Sequence, residues 1–410
     1  MAEKGKLKIQ CFSGDNYIPV QGCKVTVTSN YGESIEVELT TDSSGLTDII
    51  ELDAPAFENS QQPDGGLPYG LCNITVEKSG FQPFVVNGCQ IFPRETAYQK
   101  CNLSSRNSRD YRAQIINIPS NRLNGNYPRK IPEDVDKPLP APTSGVVLAK
   151  PVVPEYITVH EGGPNTAGAN YRVLYKDYIK NVASSEIYST WSESTIRANV
   201  FCIVSFTLNR IYTEWYRSKG KSFDITNSTA YDHAFFYGRN IYENISDIVD
   251  EIFSTYVRRF GRKQPLLTQY CDGKSVVCPE WLSQWGSKYL GDQGRVPYEI
   301  LTYYYGSDIE LATAESVKGS PRSYPGYDLT RGSRGQAVRT VQEYLNRISK
   351  NYPLIPKIAQ DGIYGSRTAE QVRVFQSIFS LPQTGVVDYK TWYKISEIYV
   401  GVTKIAELNQ

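Results

Sequence analysis

In residues 178–211, YIKNVASSEIYSTWSESTIRANVFCIVSFTLNRI, one carboxylate stands where an apolar residue should be. Counted from Ile179, helical spacing sets Val182, Ala183 and Glu186 on one face, so Glu186 continues an inward stripe instead of facing water. Ser192 suits the N-cap of a second helix, whose buried stripe runs through Ile196, Val200, Ile203, Val204, Thr207, Leu208 and Ile211 and gives the Glu186 corner a rigid support. A carboxyl group in a partly apolar corner holds its proton more tightly than one in water, which is what a proton donor needs. A helix-end glutamate paired to Arg197, or capping a neighbouring helix, produces the same pattern.

At 410 residues the chain exceeds one ordinary core, and about two to four domains are expected. Lys plus Arg number 44 against 43 Asp plus Glu, so the surplus of cations that phosphate binding needs is missing and no nucleic-acid partner is expected. The 31 tyrosines and 5 tryptophans offer flat apolar faces with hydrogen-bonding tips, which suit a polar uncharged ligand such as a glycan and equally a β-sheet surface. The N-terminal stretch MAEKGKLKIQCFSGD lacks an apolar core segment, and no run of about 18 apolar residues follows, so neither a classical export signal nor a membrane partner is expected.

Eight cysteines follow no CxxC zinc pattern, and five of them (Cys11, Cys23, Cys72, Cys89, Cys101) lie near the N-terminus. A Cys271–Cys278 bridge suits a chain acting outside the reducing cytosol. With only His160 and His233 present, a Ser-His-Asp triad has little to draw on. His233 with Cys271 and Cys278 is a zinc set without local spacing, set against buried thiols or a disulfide; no metal and no cofactor are expected.

Residues 1–118 are short β-branched runs, KLKIQCF, CKVTVTS, SIEVELTT, CNITVEK and FQPFVVNG, whose period-2 alternation predicts a small antiparallel sandwich. Residues 119–154, PSNRLNGNYPRKIPEDVDKPLPAPTSGVVLAKPVVP, are too rich in proline and polar groups to build a core and read as an extended linker that a protease can cut. Residues 155–318 mix helix and strand: strands at 156–160 and 173–175, the two helices above, and a helix over 245–260 carrying Ile248, Ile252, Tyr256 and Phe260. Residues 319–410 show helical stripes at Val338, Val341, Leu345 and Ile348 and at Val372, Phe375 and Phe379, with glycines setting tight turns. The fold class is multidomain α+β.

Three of these pieces resemble known families. GCKVTVTS, TTDSSGLTDIIEL and YGLCNITVEKSGFQPF, in that order, resemble the transthyretin-like carboxypeptidase regulatory domain, which implies a sandwich with a binding or regulatory role. Residues 178–210 and the later LSQWG…YEILTYYYGSDIEL resemble the sporulation protein D/LytB family, with its YxxxVxxxExxxxWxxExLKAQAVxARTYAL and SQWGA motifs. That resemblance implies a mixed α/β catalytic domain with Glu186 as the catalytic acid. It departs at residues 197–206, RANVFCIVSF, and at residues 270–273, YCDG, where many relatives carry a Ser/Gly-rich stretch; these departures bear on substrate preference more than on reaction type. Tyr270, Asp272, Gln284 and Trp285 are candidate groove residues, although Asp272 equally suits a turn ahead of Gly273 and SQWG equally suits core packing.

RGSRG (331–335), DGIYG (361–365), Phe375-Gln376, GVVD (385–388) and Thr391-Trp392 resemble the three-helix peptidoglycan-binding type 1 module, and Asp361, Tyr364, Thr368, Phe375 and Gln376 are its candidate residues here. The order of the four pieces resembles the clostridial spore cortex-lytic enzymes. It implies a precursor activated by a subtilisin-like protease at germination, acting on cortex peptidoglycan in the spore cortex or coat region as a lytic transglycosylase. One carboxylate suffices for that reaction, because the muramyl C6 hydroxyl replaces the water for which a hydrolytic glycosidase usually needs a second acid. The competing readings are a non-catalytic enhancer of a separate amidase, as LytB-type relatives are described, and a structural coat protein.

Overall fold

The computed structural model describes residues 3–14, 18–106, 112–121, 123, 128–134 and 150–403. The protein is mixed α and β, with eight α-helices and several sheets among the described residues. In the N-terminal part, the alternating strand Lys24–Ser29 lies between Ile35–Thr40 and Gly70–Glu77, and the sheet continues through Phe84–Ile91 to Gln114–Asn117. The second sheet centres on Glu3–Ser13, flanked by Ile50–Ala54 and Thr96–Asn102. Their inward residues, among them Leu7, Ile9, Val25, Val27, Leu52, Ile74 and Val86, are buried between the sheets.

Two features depart from the antiparallel sandwich expected. Glu3–Ser13 pairs parallel with Thr96–Asn102, and Phe84–Ile91 pairs parallel with Gln114–Asn117. Strand Thr96–Asn102 also pairs with Ile241–Tyr242 from the middle of the chain, so the N-terminal sheet is completed by a later segment.

The central helices are α1, Tyr175–Glu186, and α2, Glu193–Tyr212. Ser192 caps α2 by accepting the Thr195 N–H. The helix is then buried on nearly every face, a wider contact than its predicted stripe, because α3 (Glu243–Ile252), α4 (Gln284–Asp292) and α5 (Pro297–Tyr305) all pack on it. The helix predicted over 245–260 stops at Ile252. Beyond it Thr255–Arg259, a β-branched and aromatic run, pairs with Ile309–Thr313, and Val257 N–H donates to Ser205 Oγ at 2.7 Å. Phe260 is consequently exposed rather than on a helix face. The strand predicted at 173–175 is Asn170–Leu174, with Tyr175 already opening α1.

The C-terminal part holds α6 (Gln336–Ile348), α7 (Ser366–Ile378) and α8 (Tyr389–Thr403). Helix α8 docks on α3, with Phe253 against Tyr389 and Tyr393. Beneath this contact lies a buried charge cluster: Asp250 meets Lys180 at 2.5 Å and Lys176 at 3.3 Å, and Glu397 meets Lys176 at 2.7 Å and Lys394 at 2.8 Å. Burial pushes the Asp250 carboxyl up, but the three neighbouring lysines outweigh it and hold the group at about 2.

Residues 119–154 do not read as a free linker where they are described. Asn121 and Leu123 are buried, with the Asn121 N–H on Tyr69 Oη at 2.9 Å and the Leu123 N–H on Tyr188 Oη at 3.0 Å. Val152–Val153 pairs with Ser316–Val317. Main-chain N–H groups of Asn121 and Leu123 and the pairing of Val152–Val153 anchor the segment between its prolines. Residues 122, 124–127 and 135–149 of the predicted cleavable stretch lie outside the described residues.

Candidate active site

Glu186 ends α1 and is buried, 8 % exposed, as its place on the inward stripe predicts. Both carboxylate oxygens are held. Oε1 accepts the Ala234 N–H at 2.6 Å, and Oε2 accepts Gln284 Nε2 at 3.1 Å; the same amide also donates to the Glu186 carbonyl at 2.9 Å. The alternative pairing with Arg197 is not formed, since that guanidinium binds Glu193 and Glu251. Gln284 reaches the carboxylate because Ser283 caps α4, accepting the Gly286 N–H at 2.9 Å, which fixes the first turn against the end of α1.

The corner is braced from two sides by the N-terminal part, through the turn at Ser60 and the strand at Gln90. Trp191 Nε1 donates to the Ser60 carbonyl at 2.9 Å, and Thr190 Oγ1 to Ser60 Oγ at 2.7 Å. Arg239 bridges Ser185 Oγ at 3.0 Å to the Gln90 side chain at 3.1 Å. Ala234 is placed by its neighbour Asp232, a fully buried carboxylate that accepts from Arg210, Tyr216 and both the N–H and hydroxyl of Thr226.

Glu186 opens into a pocket also lined by Asn121, Lys130, Ala234, Tyr270, Asp272 and Gln284. Tyr270 faces the acid with its ring stacked on His233 at 5.7 Å, and its hydroxyl has no hydrogen-bond partner among the described residues. Burial, then the Glu186 carboxylate, pushes this phenol far above its ordinary value, so Tyr270 stays a neutral donor. Asp272 lines the pocket but its carboxylate closes a turn, accepting N–H groups of Lys274, Ser275 and Val276 at 3.3, 2.9 and 2.8 Å. It acts as a turn former rather than a free groove carboxylate. Trp285 is the clearest correction: it packs at 5.0 Å on Trp191 and 5.9 Å on Tyr188, within the aromatic core and not on the pocket wall.

Cys271 and Cys278 are joined in a disulfide, so they offer no thiolates to the zinc set with His233. His233 is buried, with Nδ1 at 2.9 Å from Tyr178 Oη, and burial together with Lys130 and Arg210 keeps the ring neutral. Among the described residues no group of three or more His, Cys, Asp or Glu gathers as a metal site.

Four of the five residues singled out in the C-terminal module are internal, and Asp361 is exposed. Tyr364, Thr368, Phe375 and Gln376 are each almost wholly buried. They reveal an internal repeat that sequence reading missed. Gln342 donates to Asp361, the Ile363 carbonyl and Thr368 and accepts the Gly362 N–H, while Gln376 donates to Thr384, the Val386 carbonyl and Thr391 and accepts the Gly385 N–H. Gly362 (φ 72°) and Gly385 (φ 67°) both take the left-handed conformation that turns this N–H inward. Each glutamine thus clamps one turn onto one helix. Gln376→Ala is expected to destabilise the protein by about 1–3 kcal/mol, since it leaves buried partners unsatisfied; chemical denaturation of the full chain checks this, and an unchanged midpoint would remove the clamp.

The peptidoglycan-binding type 1 family, described as a peptidoglycan binding domain, matches residues 334–395, the segment that holds both clamps. This match supports a cell-wall-binding module with peptidoglycan as partner. No curated protein matches the chain. A solved structure described as the Bacillus anthracis TIE protein aligns over 25 % of this chain and 17 % of that one, at 20 % identity and a TM-score of 0.18. No helix among the described residues is long and apolar enough to cross a membrane.

Proposed function

We propose that the chain is the precursor of a peptidoglycan-cleaving lytic transglycosylase of the spore cortex, with Glu186 as its single acid and base. The observation that carries this reading is one buried carboxylate, its oxygens fixed by the Ala234 N–H and the Gln284 amide, opening to a pocket in a chain that also carries a wall-binding module. In the reaction Glu186 gives its proton to the oxygen linking N-acetylmuramic acid to N-acetylglucosamine, and the C1–O bond breaks. The muramyl C6 hydroxyl then attacks C1 and returns its proton to the carboxylate, closing an anhydro ring and restoring the acid. Tyr270, a neutral donor beside Glu186, is placed to orient a sugar oxygen.

As a precursor stored in a dormant cell the chain is silent, and cutting within residues 119–154 by a subtilisin-like protease frees its activity. The N-terminal part fits a restraining role, because its Ser60 holds Thr190 and Trp191 and its Gln90 reaches Ser185 through Arg239, on either side of Glu186. The test is to add the purified chain, intact and nicked in this segment, to isolated cortex sacculi and follow soluble fragments. Release by the nicked chain alone supports the reading. A nicked chain that pellets with the wall yet frees nothing, unless an amidase is added, replaces it with the enhancer reading.

The wall-binding module is tethered as well as attached. Its α8 shares the buried charge cluster with α1 and α3, so removing residues 319–410 is expected both to weaken activity on insoluble sacculi through lost effective concentration and to lower the melting temperature. Thermal denaturation of the truncated chain checks the second part, and an unchanged melting temperature would contradict the tether.

A further inference from the structure

The segment before the main proline cluster runs across the mouth of the Glu186 pocket. Pro128 and Lys130 form part of its wall. The Lys130 ammonium donates to the Asp232 carbonyl at 2.9 Å and sits 4.3 Å above the Tyr270 ring. The space left open in the pocket is about 40 Å3, room for a few waters.

The segment is pinned just after Lys130. Ile131 N–H donates to the Ala230 carbonyl at 2.8 Å, and Gln269 clasps the segment by accepting the Glu133 N–H and donating to the Ile131 carbonyl, both at 3.3 Å. Glu133 then forms a bidentate pair with Arg210, both contacts at 2.8 Å, where Arg210 is 1 % exposed and also holds Asp232. A stretch serving only to join two domains has no need of a buried bidentate ion pair. A lysine over an aromatic face next to a carboxylate occupies the place a sugar would take, since sugars also stack on aromatic rings and hydrogen-bond to carboxylates.

We propose that residues 128–134 are an occluding strap, with Lys130 as a plug in the Glu186 pocket and Glu133–Arg210 as its latch, and that the site opens to glycan when this strap leaves. This rests on the reading of Glu186 as the glycan-cleaving acid. The strap's contacts include residues 206, 210, 230, 232, 269 and 270, in the central part of the chain.

The experiment uses the intact, uncut chain with Lys130→Ala and Lys130→Glu, the second setting a carboxylate against Glu186. Binding of a soluble N-acetylglucosamine–N-acetylmuramic acid oligosaccharide is measured by calorimetry, and its cleavage by chromatography. A strap closed in most molecules suppresses apparent affinity by the open fraction, so both variants are expected to bind about tenfold or more tightly than the parent, with faster cleavage. Melting temperatures verify that the variants fold, and Lys130→Arg, which keeps the charge and the stacking, is expected to stay closed. Tighter binding without cleavage by any form, nicked chain included, would leave the strap standing and remove the Glu186 reading. Cleavage by the nicked chain with unchanged binding in both Lys130 variants would overturn the strap. A loss of turnover in a nicked Lys130→Ala chain would make Lys130 part of the catalytic machinery and overturn it also.

Discussion

Glu186→Gln is expected to lower glycan cleavage by about a hundredfold or more while leaving attachment to insoluble peptidoglycan intact. The amide keeps the size and one acceptor oxygen, so the Ala234 N–H stays satisfied at its place; what disappears is the transferable proton. The Gln284 amide, which donates to the carboxylate at 3.1 Å, then meets a side chain that can present either oxygen or nitrogen, so the corner loses little packing. The comparison is made on the nicked chain with the same soluble glycan, and the melting temperature is measured alongside. A Glu186→Gln chain that retains a third of its parent's rate would transfer the acid role elsewhere.

Asp250→Asn is expected to be the most destabilising single change, at about 3–5 kcal/mol, because it leaves the Lys180 ammonium in the interior without its paired carboxylate, while Lys176 keeps Glu397. Replacing Asp250 and Lys180 together by apolar residues of similar size should restore much of that loss, since the desolvation cost of both charges goes with them. The pH dependence follows from the direction of the shift. Asp250 holds a folded value of about 2 against an ordinary 3.8, so its contribution is fully present above pH 4 and is lost as pH falls through about 2. Denaturation midpoints measured down that range should fall more steeply for the parent than for Asp250→Asn. Parallel curves would contradict the assignment.

The helical core of the site was legible in the sequence because its physics is local. The period of residues 178–186 puts Glu186 inward, and Ser192 caps the next helix whatever surrounds it. The end of α3 was misread because Tyr256 continues a helical spacing by chance, and only the partner strand Ile309–Thr313, more than fifty positions away, decides that Thr255–Arg259 is extended. Trp285 was misassigned for a similar reason: a tryptophan beside Gln284 has no local signal that tells a groove wall from the back of an aromatic core. The Ala234 N–H that holds Glu186 left no trace in sequence at all, since a backbone donor carries no side-chain signature. Lys130 was hidden in a segment whose composition argued against any packing. The two glutamine clamps are readable in principle from the matching spacing of Ile363 to Thr368 and Val386 to Thr391.

The most direct test of the central claim is mass spectrometry of the fragments that the nicked chain releases from purified cortex peptidoglycan. The account predicts fragments ending in anhydro-muramic acid, present with the parent chain and missing with Glu186→Gln. Fragments ending in reducing sugars would mean that water, and therefore a second catalytic group, completes the reaction, and would contradict it.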